Sequence, residues 1–374
     1  MDRKLVLTGE GLTDEITQKL LSALVTGLKK GKAVREYNDI EYARFRETMA
    51  GIERGTVIAK GRVVRGFPQI KRIFTLKNGL ARNMDGVDTI HAEEKIDGFN
   101  VRVASINGEI FAFSRGGFLE PFVTEKAREM KLERFFRDNP FHTLCGEMIG
   151  NTPFTAPTSE FDVRLFIFDI DRGYGDYMPP AERYELLEKY GILSVPRLGT
   201  FKPDDIDGLR KLVLSLNKGK REGMVLKSAD RKKAVKYVTP NADIEDIANT
   251  SRMIFDMPIG FYYQRVLRSA FFMDDFSLDR EEHAKRLGKA FYEGLTGAIR
   301  LGRGGKEIDE EFEILIRDPK VWDAVRHHIS RDVGVEELWK REEKDGRLRI
   351  RFRKIYKRTT KLLTSYANGK GVTD

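Results

Sequence analysis

The Asn107-Gly108 pair is the feature that most restricts how this chain can fold. It separates two alternating runs, 101–106 and 109–115, and such a pair favours the type I′ turn, whose twist suits antiparallel strands. A hairpin built on it has one register. Ile106 faces Glu109, and counting outward sets Arg102 opposite Phe113 and Asn100 opposite Arg115. Asn100, Arg102, Phe113 and Arg115 are therefore expected on one face, just beyond the tetrapeptide Lys95-Ile96-Asp97-Gly98.

Around this hairpin, residues 87–239 read as short alternating strands, with helical spacing at 124–137 and 180–190. Upstream, 13–30 predicts an amphipathic helix: Thr13 suits the N-cap, Asp14 and Glu15 suit the positive first turn, and Ile16, Leu20, Leu24 and Leu28 form one stripe. Short β runs follow at 56–59 and 62–65. After Pro240 the pattern turns helical, at 243–252, 264–272, 280–298, 309–317 and 319–329. In the last segment Arg347, Arg349, Arg351 and Arg353 alternate with apolar residues as a strand would. A stripe from Leu348 through Phe352 and Ile355 to Leu363 runs longer, and a basic amphipathic helix is expected there. At 374 residues the chain exceeds one compact core, so two to four domains are expected. Short strands as far as 239 followed by helical spacing predict an α+β class with an antiparallel sheet, the character changing near 55 and again after Pro240.

Several short segments carry candidate chemistry. A strand ending at Lys95 puts His91, Glu93, Lys95 and Asp97 on one face, and Gly98 supplies a sharp turn that leaves the amine facing a pocket. In isolation the tetrapeptide also fits a surface turn. Arg115 sits among Ser114, Gly116 and Gly117, a loop that lets backbone approach a ribose or phosphate beside a guanidinium fork. Glu147 lies in a mainly apolar strand and needs a partner, either a ligand hydroxyl or a cation. A hairpin joining 222–227 to 235–237 places Lys227 and Lys236 on one face, able to bind phosphate, with Glu222 available to a divalent cation.

In order, Lys95-Ile96-Asp97-Gly98, Ser114-Arg115-Gly116-Gly117, Cys145-Gly146-Glu147, Phe166-Ile167-Phe168-Asp169, Glu222 to Lys227, and Val235-Lys236-Tyr237 resemble the motif series of the covalent nucleotidyltransferases. That superfamily contains ATP-dependent DNA ligases, RNA ligases and mRNA capping enzymes. The resemblance implies an ATP-grasp-like nucleotidyltransferase domain with Lys95 as the catalytic nucleophile. It implies that Glu94, Asn100, Arg102 and Arg115 hold the nucleotide, that Glu147 meets ribose hydroxyls and that Phe168 stacks on adenine. Glu222, Lys227 and Lys236 would serve the phosphates and Mg²⁺ or Mn²⁺.

DNA ligases and capping enzymes normally follow the last motif with a small β-barrel. Here helices begin at once after Pro240, a layout similar to the archaeal, homodimeric ATP-dependent RNA ligases. That resemblance implies a small N-terminal domain at 1–62, the nucleotidyltransferase domain at 63–239, a helical dimerisation domain at 240–310 and a helical basic C-terminal domain at 311–374. The implied reaction takes AMP from ATP onto Lys95, passes it to a 5′-phosphate RNA end, and seals that end with a 3′-hydroxyl. One departure is Val238, where many superfamily members carry a second lysine. A DNA ligase or guanylyltransferase remains an alternative, as does a non-catalytic RNA-binding protein on this scaffold.

Charge agrees with a polyanionic partner: 67 Lys and Arg against 58 Asp and Glu, a net charge of +9. The basic tail makes Arg347, Arg349, Arg351, Arg353 and Lys357 the expected contacts to single-stranded RNA ends. Aromatics including Phe255, Phe261, Tyr262, Tyr263, Phe271 and Phe272 suggest that 241–310 forms a homodimer interface. A single cysteine, Cys145, rules out an intramolecular disulfide. Residues 1–7 are too short and charged for a signal, and no apolar run approaches a membrane span, so a cytoplasmic setting is expected.

Overall fold

The structure is a computed structural model that describes residues 7, 12–37, 39–155 and 161–372. The helix Asp14–Lys29 forms as its caps predict, with the Thr13 hydroxyl accepting from the Ile16 N–H at 3.3 Å. It covers an antiparallel sheet ordered Ala33–Tyr37, Glu41–Phe45, Val57–Ala59 and Arg62–Val64. The last strand of this sheet ends at Val64.

Two sheets form the centre. One is ordered Val163–Asp171, Thr143–Gly150, Phe99–Ile106 and Glu109–Ser114, all antiparallel. The Asn107 hairpin has the expected register, Arg102 pairing with Phe113 and Ile106 with Glu109. The other sheet is ordered Arg197–Phe201, Ile90–Lys95, Gly223–Ser228, Ala234–Val238 and Lys71–Arg72, with only the last pairing parallel. Helices Pro121–Glu129 and Glu133–Asp138 back the first sheet, and Ile206–Lys218 backs the second, each burying an apolar face. From Pro240 to Arg303 the chain is helical as expected, with Pro240–Thr250, Gly260–Asp275 and Arg280–Arg303. Among the described residues no helix is long and apolar enough to cross a membrane.

The C-terminal unit corrects the expectation of a wholly helical domain. Asp309–Ile316, read as a helix, is a strand, and the single basic helix expected at 347–363 is a strand, Leu348–Ile355, followed by a helix, Lys357–Ala367. These strands pair antiparallel, and Gly334–Glu342 completes the sheet. Period-two burial decides the matter: Phe312, Ile314, Ile316, Ile350 and Phe352 all turn into one core with Trp322 of the helix Pro319–Ile329. The opposite face then collects the arginines beside acids of neighbouring strands. Arg349 meets Glu313 at 2.6 Å and Glu343 at 2.7 Å. Arg351 meets Glu311 at 2.5 Å, and Arg353 meets Glu336 at 2.5 Å and Glu307 at 2.9 Å.

Arg347 pairs with Asp345 at 2.5 Å. The outward basic helical face expected to contact RNA is thus replaced by a cross-strand charge ladder. Of the five residues assigned to it, only Lys357 lacks a carboxylate partner among the described residues. Replacing Arg349 and Arg353 together by Gln should lower the melting temperature modestly while leaving the salt slope of RNA binding unchanged. A flattened slope at unchanged melting temperature would restore the RNA-contact expectation for these arginines.

Candidate active site

Lys95 closes the strand Ile90–Lys95 in the interior of the five-stranded sheet, opposite Gly223 of the adjacent strand. Ile96, Asp97 and Gly98 then carry the chain across to the four-stranded sheet, which it enters at Phe99. Gly98 makes the crossing feasible: a Cβ there would lie 2.5 Å from the Ile149 side chain and 2.6 Å from the Met148 carbonyl oxygen. Glycine is therefore needed for close approach, and its result is a lysine aimed into the cleft between the sheets. Gly223, with φ near +150°, has a similar constraint, since a Cβ would meet the Tyr237 carbonyl oxygen at 2.1 Å. It sets the adjoining Glu222 against Lys95, whose Nζ donates to Glu222 Oε2. Burial pushes the Glu222 carboxyl up, and the Lys95 charge opposes that rise.

Both sheets line the pocket around Lys95. From the four-stranded sheet come Asn100, Glu147 and Phe168; from the other come Glu93, Glu94, Val225, Lys227 and Lys236; and Phe67 and Arg115 are among the residues that add to the walls. Asn100 pairs with Glu147 across neighbouring strands. Burial raises the Glu147 carboxyl to about 7, against the pull of Lys95 and a hydrogen bond from Asn100. Asn100 Oδ1 is buried without a hydrogen-bond partner, leaving an acceptor for a ligand hydroxyl or amine. Phe168 sits at a bulge between Ile167 and Asp169, which interrupts the simple alternation expected from Phe166 to Phe168. Its ring meets Phe67 edge-on at 5.0 Å. Glu94 lines the pocket and is held by Arg221.

Behind Phe168 lies a charge network that only Lys227 represented among the expected residues. Glu93 and Asp169, both essentially buried, face Arg183, Lys227 and Arg231. Lys227 Nζ lies 2.7 Å from Glu93 and 3.1 Å from Asp169, and also donates to the Phe168 carbonyl. Arg231 clamps Asp169 with two hydrogen bonds of 2.7 Å. The Tyr184 hydroxyl donates to Glu93 at 2.5 Å, and Arg183 holds Glu93 and the Phe168 carbonyl. Burial pushes both acids up, but the cations outweigh it and hold them below the ordinary carboxylate range. A clue was present in sequence: Asp169 ends a largely apolar motif and has to find a cation.

This network changes two expected roles. Lys227 and Lys236 do share a face, since Val225 pairs with Lys236. The Lys227 ammonium lines the pocket but is committed to two carboxylates and the Phe168 carbonyl, so it supports Phe168 rather than standing free for phosphate. Arg102 is also removed from the pocket. It is fully buried and donates to the carbonyls of Arg65 at 2.6 Å and Ser114 at 2.7 Å, fixing the loop that presents Arg115.

Lys236 and Arg115 line the pocket with no carboxylate partner among the described residues. Arg72 pairs with Lys236 on the adjacent parallel strand, and its Nε is buried without a hydrogen-bond partner. Burial, followed by the charges of Arg72, Lys95 and Arg115, lowers Lys236 to about 8. Such a crowd of cations is suited to a polyphosphate. A bound polyphosphate favours the ammonium form, so above about 8 its binding must take up a proton. ATP affinity is therefore expected to fall as pH rises through that value, and Lys236→Met should weaken affinity and flatten the profile. A titration whose pH dependence is identical in both proteins would overturn this assignment.

Comparison with known proteins supplies a context for this geometry. Residues 88–238 match the RNA ligase family model, and 249–370 match the model of the ligase Pab1020 C-terminal region. An uncharacterized protein of Methanocaldococcus jannaschii is 31% identical over 354 residues, spanning 89% of each chain. An archaeal ATP-dependent RNA ligase, solved in two forms, superposes with TM-scores of 0.87 and 0.86 at 28% identity, over 96% of this chain and 99% of that one. A protein from Aquifex aeolicus, proposed to be an ATP-dependent DNA ligase, superposes with a TM-score of 0.88 at 31% identity, over 94% of this chain and all of that one.

Proposed function

The chain belongs to the RNA ligase family, and on that premise we propose that it is an ATP-dependent enzyme joining 5′-phosphate and 3′-hydroxyl RNA ends through an AMP group carried on Lys95. The observation that carries this reading is the Lys95–Glu222 pair, set in a pocket where Lys236 and Arg115 have no carboxylate partner among the described residues and Asn100 Oδ1 awaits a donor. Glu222 lies within reach to accept the proton of Lys95. The amine then attacks the α-phosphorus of ATP: a nitrogen–phosphorus bond forms, the bond to the bridging oxygen breaks, and pyrophosphate departs. Lys236 and Arg115 counter the phosphate charge, with Arg72 beside them for the leaving group. Glu147 and Asn100 serve the ribose, and Phe168, buttressed by Phe67, serves the base. AMP next passes to the RNA 5′-phosphate, and attack by a 3′-hydroxyl releases it.

A divalent ion, Mg²⁺ or Mn²⁺, fits one part of this site. Among the described residues no three acids or histidines gather as a cage, but such an ion commonly takes one or two carboxylates together with substrate phosphates. Glu222 would be its protein ligand, and the ion would supply charge neutralisation on the phosphates. The proposed division of the chain remains four-part, with the first boundary moved beyond Val64.

The test is incubation with α-labelled ATP, a divalent ion and 5′-phosphorylated RNA, following label on protein and RNA together. Parallel DNA ends and labelled GTP separate the alternatives, the DNA arm being prompted by the Aquifex aeolicus relative. Label reaching protein and then RNA supports the proposal; transfer confined to DNA, or from GTP alone, overturns it.

A homodimer through 241–310 completes the proposal. Phe272 is core, Phe255 packs on Tyr366 and Tyr262 on Phe291, so these rings are internal. Ile259, Tyr263 and Val266 instead form an exposed stripe at helical spacing, with Tyr292 exposed on the next helix. Sedimentation at micromolar concentration should give a dimer, and Tyr263→Glu should yield monomers. A wild-type monomer would defeat the idea.

A further inference from the structure

A second groove meets the nucleotide pocket at Asn100 and Arg115 and opens between three parts of the chain. Arg54 enters from the N-terminal unit, Phe118 and Glu120 from the loop after the hairpin, and His328 and Lys354 from the C-terminal unit. Its charge is distinctive. The arginines of the C-terminal sheet are neutralised by carboxylates, whereas Arg54, Arg115 and Lys354 have no carboxylate partner among the described residues. Lys354 rests on the Phe312 ring at 4.1 Å. Of the two acids that line the groove, Glu120 is buried and raised to about 8, so it adds little negative charge at neutral pH; the other is Asp332.

Rings accompany the cations. Phe99 and Phe154 stack at 4.2 Å, and Phe118 meets His328 edge-on at 5.4 Å with Arg44 above it at 3.6 Å. Cations interleaved with aromatic faces suit a single-stranded polynucleotide, whose phosphates take the charge and whose bases stack. The junction with the nucleotide pocket determines which end enters. Arg115 borders both spaces, and the oxygen that receives AMP must approach the α-phosphate, so an anionic terminus fits there better than a neutral hydroxyl.

We propose, building on the RNA ligase reading, that this groove seats the 5′-phosphate end of a single-stranded RNA, with Arg115 at the terminal phosphate and Arg54 and Lys354 along the backbone. The C-terminal unit then takes part in binding RNA through the groove it closes, not through its arginine ladder.

The test measures binding of a 5′-phosphorylated single-stranded RNA oligonucleotide by fluorescence anisotropy, for the full-length protein and its Arg54→Glu, Lys354→Met and double variants. Lysyl-AMP formation from ATP is measured alongside. Arg54 is exposed, so its variant should fold even if Lys354→Met does not. Each variant should weaken RNA binding about tenfold. Each lost phosphate contact should flatten the salt slope by about 0.7. Lysyl-AMP formation should be preserved, and the same oligonucleotide with a 5′-hydroxyl should bind the wild type more weakly. Unchanged RNA affinity in Arg54→Glu and the double variant overturns the groove, even if the wild type ligates RNA. Equal binding of both oligonucleotides overturns the terminal-phosphate assignment. Groove-dependent RNA binding by a protein that forms no lysyl-AMP would retain the groove and overturn the ligase reading alone.

Discussion

Lys95→Ala should eliminate the labelled protein adduct formed from ATP, a loss of about 10⁴-fold or more, the scale seen when a covalent nucleophile is removed. The same variant should still seal RNA supplied with an adenylated 5′ end, because that step needs the nucleotide-binding pocket and the two RNA ends but no amine nucleophile. Folding should persist. Lys95 is partly exposed at the cleft, and Glu222, the one carboxylate that pairs with it among the described residues, is already pushed up by burial. Removing the ammonium takes away the influence opposing that rise, so Glu222 can become protonated instead of remaining as an unpaired buried charge. The decisive measurement is paired: adduct formation on a denaturing gel, and sealing of pre-adenylated RNA. An adduct of normal yield would remove the nucleophile assignment, while loss of both activities with an intact fold would give Lys95 a role beyond covalent transfer.

Asp169→Ala should be the most damaging substitution for stability, by about 3–5 kcal/mol, because it strands buried cations that depend on this carboxylate. Arg231 would lose both of its close hydrogen bonds, and Lys227 would keep only Glu93 and the Phe168 carbonyl. The Phe168 carbonyl is held by Lys227 and Arg183 of the same network, so nucleotide binding should decline with stability. The pH dependence has a definite sign. Asp169 and Glu93 are held below the ordinary carboxylate range in the folded protein, so their stabilisation is complete above that range and is lost as pH falls through the lowered values. Chemical denaturation across acidic pH should show this loss in the wild type and less of it in Asp169→Ala. Equal stability of the two proteins at neutral pH would show that the network contributes little to holding the fold.

The residues of the pocket were legible in the sequence to the extent that local rules place them. Asn107-Gly108 determined a hairpin and, by counting, the register that pairs Arg102 with Phe113, and Asn100 and Arg115 both line the pocket beyond it. The Thr13 cap and the stripe behind it determined the first helix, and the ordered motifs identified Lys95, Glu147, Phe168, Glu222 and Lys236 without reference to tertiary structure. These features depend on neighbours a few residues away or on a motif order preserved along the chain.

What the motifs left undecided was which cations remain unpaired. Lys227 and Lys236 look alike on one face of a hairpin and both line the pocket, yet Glu93 and Asp169, more than fifty residues upstream, pair with the first and leave the second without a carboxylate partner among the described residues. Arg102, two residues from Asn100, is turned to backbone carbonyls of the N-terminal unit and the Arg115 loop. The C-terminal arginines followed the same logic: a helical stripe and a strand alternation coexist in that segment, and the core formed by Phe312, Ile314, Ile350 and Phe352 selected the strand. Period and capping are local, so sequence determined them. Desolvation and charge pairing depend on which distant segments are brought together, and only the tertiary structure decided those.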